Sequence, residues 1–194
     1  FGKSITTEYN EKKQKWTALK HDKAGEPIAR NFIKHVYNDK KIEEYVADMT
    51  VHHMTPLALV AGGSHKKRFM QFFDECKNMD DIIVLARCDN DGRGMGIPFD
   101  EYEVKLKEMV ESYRDLMLQP QVSGLDLINL GYKPGPEFSE MLAFTHKCHL
   151  AGVDKETAMK NMLGTFKHEN ISRNNALDSE LIHPIADSND TQFN

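Results

Sequence analysis

The sequence lacks any apolar run near the roughly 20 residues that a helical bilayer span requires, so no such span is expected. Its start, FGKSITTEYN, has neither the basic opening nor the apolar stretch of a secretory leader. Cysteine is scarce: Cys76, Cys88 and Cys148 are odd in number and widely spaced. That excludes a disulfide framework or a zinc-knuckle pattern and favours buried thiols in a reducing, cytoplasmic setting. Excess positive charge is also missing. A formal charge of -5 excludes coating of nucleic acid by bulk electrostatics but permits a local basic patch.

What is present suits a globular protein. The 194 residues are enough for one large domain with a real core, 40% of them are hydrophobic and 28% charged, and a mean hydropathy of -0.57 implies a well-solvated surface. Nine histidines are more than an ordinary composition supplies, and neutral imidazole is the commonest transition-metal ligand.

The hydrophobic pattern predicts an all-α fold, a helical bundle with a small β-hairpin near the N-terminus. Two short β-prone runs flank Asn10-Glu11-Lys12-Lys13 within residues 4–20 and read as the hairpin. Helical periodicity follows. Asp22 is expected to cap a helix carrying Ala24, Ile28, Ala29, Phe32, Ile33 and Val36, and Asn38 or Asp39 to cap the next, with Ile42, Tyr45, Val46, Met49 and His53 on one face. Pro56 is expected to end that pair, and Ser64, after Gly62-Gly63, to cap a helix burying Phe69, Phe72, Phe73 and Cys76. Ile82-Ile83-Val84-Leu85-Ala86 is apolar on nearly every side and predicts a central buried helix ending near Asp89. A charged amphipathic helix is expected from Phe99 to about Met117, then a C-terminal helical extension over about 120–166, and a polar, disordered tail over 167–194.

Four places could carry chemistry. Phe1-Gly2-Lys3 means little alone. His21-Asp22 stands at the head of a helix, where a histidine suits a ligand and Asp22 has a sufficient role as the cap. In His52-His53 the side chains point about 100° apart, so they cannot share a target. His53 continues the inward stripe, where a histidine is either a ligand or a satisfied core residue. Asp89, in Cys88-Asp89-Asn90-Asp91-Gly92-Arg93, puts a carboxylate at the C-terminal end of a buried helix, where the helix dipole disfavours it and a cation would compensate it. An EF-hand reading of this stretch fails for want of a third acidic ligand and a closing glutamate. His21, His53 and Asp89 together make a mixed imidazole and carboxylate set suited to a transition metal.

The order FGK, then Lys20-His21-Asp22-Lys23-Ala24-Gly25, then His52-His53-Met54-Thr55-Pro56, then Ala86-Arg87-Cys88-Asp89-Asn90-Asp91-Gly92-Arg93, resembles the HD-superfamily phosphohydrolase domain of bacterial CCA-adding tRNA nucleotidyltransferases. The stretch from Val122-Ser123-Gly124-Leu125-Asp126-Leu127 to Leu130-Gly131-Tyr132-Lys133-Pro134-Gly135-Pro136-Glu137 extends that resemblance, which covers roughly residues 1–165. It implies an HD-type domain over 1–166 and metal-dependent phosphohydrolase or phosphodiesterase activity. His21, His53 and Asp89 would be metal ligands, with nickel, manganese, cobalt, iron, magnesium or zinc as the divalent ion. Lys3 and Arg93 would act in catalysis and, with Lys23, bind substrate phosphate. The implied substrate is a nucleotide or a tRNA-like RNA 3'-end, with a 2',3'-cyclic phosphate or a phosphomonoester. No membrane partner is implied, and a homodimer is an assembly to test. In the family a glycine precedes the first histidine and glutamate follows it, where this chain has Lys20 and Asp22, and Cys88 replaces an alanine. The histidine-aspartate doublet that names the family would lie upstream of Phe1. The alternative reading is a non-catalytic tRNA-binding helical body of a CCA-adding enzyme, contacting phosphates through Lys12-Lys13-Gln14-Lys15-Trp16 and the turn at Pro134.

Overall fold

A computed structural model describes residues 1–92 and 98–166. Arg93 and the tail over 167–194 lie outside the described residues. The fold is all-α with a small β-hairpin. The described residues divide into two compact units, residues 1–119 with 150–152, and residues 120–149 with 153 onward.

The first unit opens with the short helix α1 (Lys3–Thr6) and the antiparallel strands β1 (Thr7–Asn10) and β2 (Lys15–Ala18). Six helices follow: α2 (His21–Val36), α3 (Lys40–His52), α4 (Thr55–Ala61), α5 (Lys66–Glu75), α6 (Met79–Gly92) and α7 (Asp100–Met117). Only Tyr37, Asn38 and Asp39 connect α2 to α3. So short a link makes antiparallel neighbours of two helices of similar length. Asp39 starts α3 by accepting bonds from Lys41 N and Ile42 N. Cross-helix contacts confirm the orientation. Arg30 and Lys34 reach Glu43 at 3.3 and 3.5 Å near the turn, while at the open end His21 meets His53.

The core of this unit lies among α3 to α7, where Met49, Leu59, Phe69, Phe73, Ile82, Ile83, Leu106 and Val110 are buried together. Phe73 stacks at 5.3 Å from Phe72 and 6.1 Å from Tyr113 between ring centroids, in tilted arrangements. Several local expectations need correction. Asp22 is not the cap of α2: the helix begins at His21, and Lys20 precedes it in the left-handed conformation, φ 57°. Pro56 does not terminate α3 but opens α4, where its missing N–H costs nothing. Ser64 does not cap α5, whose flanking residue is His65. The helix α6 is not buried all round, because Ile82, Ile83 and Ala86 face the core while Val84 is 60% exposed.

In the second unit α8 (Gly124–Asn129) starts at Ser123 with a reciprocal capping box to Asp126. The helices α9 (Pro136–Leu150) and α10 (Lys155–Thr165, capped by Asp154) complete it. Leu127, Met141 and Met162 form its buried centre. Among the described residues no helix is long and apolar enough to cross a membrane.

Candidate metal centre

The antiparallel pairing of α2 and α3 places the first residue of one beside the end of the other. His21 Nε2 stands 3.3 Å from His53 Nε2, with ring centroids 5.3 Å apart and planes inclined at 62°. Each ring is held by its other nitrogen: His21 Nδ1 lies 2.7 Å from the carbonyl oxygen of Ala18, and His53 Nδ1 lies 2.8 Å from that of Thr50. A carbonyl oxygen only accepts, so both Nδ1 atoms carry hydrogen and donate. In the neutral rings both Nε2 atoms therefore present lone pairs to the same point.

Two lone pairs so aimed repel unless a cation, either a proton or a metal ion, lies between them. A histidine that ligates a metal typically donates its second ring nitrogen to a carbonyl or carboxylate, as both rings do here. The spacing also fits. Two nitrogens bound at about 2.05 Å to one tetrahedral ion lie about 3.3 Å apart, against about 2.9 Å for adjacent ligands of an octahedral ion. The donor pair could thus supply two positions around one divalent ion.

Close backbone contact builds the surroundings. A methyl on Gly2 would overlap the carbonyl oxygen of His21, and one on Gly25 would lie 3.0 Å from Gly2 N and 3.2 Å from Thr50 Cγ2. The two glycines let α1 lie directly on the first turns of α2, and the Thr50 methyl closes the gap from α3. Lys3, next to Gly2, and Lys23, two residues beyond His21, are both exposed, and neither forms an ion pair among the described residues. Asp22 is half-buried in the first turn of α2.

The remaining predicted residues behave differently. Asp89 sits half-buried on the last turns of α6 and interacts within the protein. Among the described residues no three His, Cys, Asp or Glu side chains gather closely enough to hold one ion, so Asp89 does not extend the imidazole pair into such a group. Between α3 and α6 runs an open cleft with Thr50 and Cys88 on its walls. Arg93 falls outside the described residues. His52 points away from His53, as adjacent helical positions require: its Nε2 lies 3.5 Å from Asp48 Oδ1, and its ring meets Phe72 edge-on at 5.5 Å. Asp48 also accepts a bond from Lys77 N at 3.1 Å, tying α3 to the start of α6.

Sequence reasoning missed the two carbonyls, from Ala18 and Thr50. Both lie three residues before the histidine they hold, a spacing visible only once the imidazoles are known to matter. Comparison with protein-family models, curated proteins and solved structures finds no match to this chain.

Proposed function

We propose that this chain is a metal-dependent phosphohydrolase acting on nucleotide or RNA-terminal phosphoesters, with His21 and His53 as two ligands of a divalent ion. The observation that carries the reading is the approach of the two Nε2 atoms to 3.3 Å, each ring held through Nδ1 by a main-chain carbonyl. Bound there, a divalent ion would neutralise phosphate charge and lower the pKa of water for attack on phosphorus. The protein's own contribution is positional. Ala18 and Thr50 fix the two rings, Gly2 and Gly25 bring Lys3 close to the first turn of α2, and Lys3 and Lys23 supply cations for phosphate oxygens. Asp89 and Arg93 are carried as further site residues on the family resemblance alone.

Hydrolysis of p-nitrophenyl phosphate and of a 2',3'-cyclic nucleotide, with nickel, manganese or cobalt added, tests the reading. Metal-stimulated turnover should fall by about 100-fold or more in both His21→Ala and His53→Ala. Unchanged turnover in those variants would remove the basis for it.

One observation favours a second reading, the RNA-binding body. Tyr9 and Trp16 stand opposite each other on the hairpin, 50% and 69% exposed, with rings 5.5 Å apart and Lys12, Lys13 and Lys15 nearby. Exposed aromatics beside lysines are the elements of a single-strand stacking platform. In that case Trp16→Ala abolishes binding of a short single-stranded RNA, and added metal changes nothing.

A further inference from the structure

The cleft between α3 and α6 is apolar surface left open in a helix pair that should have closed it. On α3 it is lined by Tyr45, Met49 and Thr50, and on α6 by Asp81, Val84 and Cys88, with about 430 Å³ of space open to solvent. That lies within the roughly 300–1,000 Å³ of pockets that hold small ligands. Tyr45 and Val84 are 41% and 60% exposed, although Tyr45 sits on the apolar stripe of α3 and Val84 in an all-apolar run of α6.

The two ends of the cleft differ chemically. At one end the Asp81 carboxylate accepts bonds from Tyr45 Oη at 2.8 Å and Asn78 Nδ2 at 2.7 Å, both on Oδ2. No hydrogen bond to Oδ1 is formed among the described residues, so that oxygen can accept from a bound molecule. The phenol and amide hold the carboxylate in place and leave it acceptor-only in character, a group that selects for donors. At the other end stands Thr50, whose carbonyl positions His53, and Cys88, the neighbour of Asp89. From Tyr45 to Thr50 the helix advances about 7.5 Å, and from Asp81 to Cys88 about 10.5 Å, a length that a purine joined to its sugar fills.

We infer that this cleft binds the nucleoside part of the substrate, with the base between Tyr45 and Val84, its exocyclic amine donating to Asp81, and its sugar leading toward His53. The inference rests on the phosphohydrolase reading and adds the substrate class to it: a phosphoester of an amino-bearing nucleobase, adenine being the purine that presents an amine where hypoxanthine presents a carbonyl. Asp81 is then a specificity-determining residue, because an acceptor facing the hypoxanthine carbonyl leaves both oxygens unsatisfied.

The test uses nucleosides without phosphate, so that binding in the cleft is read apart from the histidine pair. Calorimetric titration of the whole chain with adenosine and with inosine should show adenosine tighter by about threefold or more, the worth of one hydrogen bond. Asp81→Asn, which can donate as well as accept, should abolish that preference. Val84→Trp places bulk in the cleft from an exposed position and should weaken adenosine by about tenfold or more, with an unchanged circular dichroism spectrum showing that the fold survives. Equal binding of the two nucleosides, or adenosine binding indifferent to Val84→Trp, would overturn the inference. His21→Ala separates it from the reading it rests on: adenosine binding should persist while metal binding is lost. Adenosine binding retained in a chain that takes up no metal would leave the cleft standing and remove the hydrolase. Metal uptake without adenosine binding would do the reverse.

Discussion

A methyl group placed on Gly25 would lie 3.2 Å from Thr50 Cγ2 and 3.0 Å from Gly2 N, so the packing of α2 on α3 beside the histidine pair depends on glycine at this position. Alanine in a helix interior ordinarily gains about 1 kcal/mol over glycine. Here steric overlap should outweigh that gain, and Gly25→Ala is expected to lose roughly 1–3 kcal/mol in urea unfolding. Adding Thr50→Ser removes the Cγ2 methyl and should recover part of the loss. Two strictly additive changes would contradict a direct contact.

Lys20 is expected to be strained. Its φ of 57° is the left-handed conformation that glycine adopts freely, and it turns the chain from β2 into α2 so that the His21 ring folds back over the Ala18 carbonyl. Lys20→Gly should raise stability by about 1 kcal/mol in chemical denaturation. A loss of stability would show that the lysine makes a compensating contact.

Cys76 and Cys88 should separate by reactivity. Against the expectation of buried thiols, Cys88 is exposed on the cleft wall, because it lies off the core face of α6, while Cys76 is enclosed and burial pushes its thiol up to about 11. At pH 8 Cys76 therefore stays a protonated, inaccessible thiol, and Cys88 should react first with an aromatic disulfide reagent. Equal rates for Cys76 and Cys88 in the native protein would contradict this placement.

In the second unit the Asp126 carboxyl is held down to about 2 by the Ser123 hydroxyl first, then by Lys155 at 2.9 Å and the Ser123 amide. A carboxylate whose folded pKa is depressed adds stability above its unfolded value, and that stability is lost as pH falls toward about 2. Ser123→Ala should move the Asp126 titration up toward the ordinary value near about 3.9, read by carbon NMR, and cost about 1 kcal/mol through the lost cap.

The helices were legible because their apolar stripes recur at spacings of three and four, as in Phe69, Phe72, Phe73 and Cys76, which are all buried. The all-apolar run in α6 misleads at Val84: apolar character shows that a residue could be buried but not whether a partner arrives, and here α3 stands off to leave a cleft. The start of α2 is not legible because Asp22 is a good cap by type, whereas the chain turns through a left-handed lysine that no propensity favours. Within the candidate site His21 and His53 could be read from motif spacing, and a three-residue link between helices of similar length explains why they meet. The carbonyls that orient them were not legible, since a main-chain oxygen has no signature in a sequence. The cost of a buried carboxylate at a helix end points to Asp89, but this one is only half-buried and interacts within the protein.

A metal ion at this pair requires both facing nitrogens to be free of hydrogen. Long-range proton–nitrogen NMR of the histidine side chains, recorded before and after addition of zinc, reads them directly. The expected result is hydrogen on Nδ1 of both His21 and His53, with a zinc-induced shift of both Nε2 signals that saturates at one ion per chain and is absent in His21→Ala and His53→Ala. Hydrogen on either Nε2 in the neutral rings, or zinc uptake that leaves both Nε2 signals in place, would contradict a metal centre at this pair.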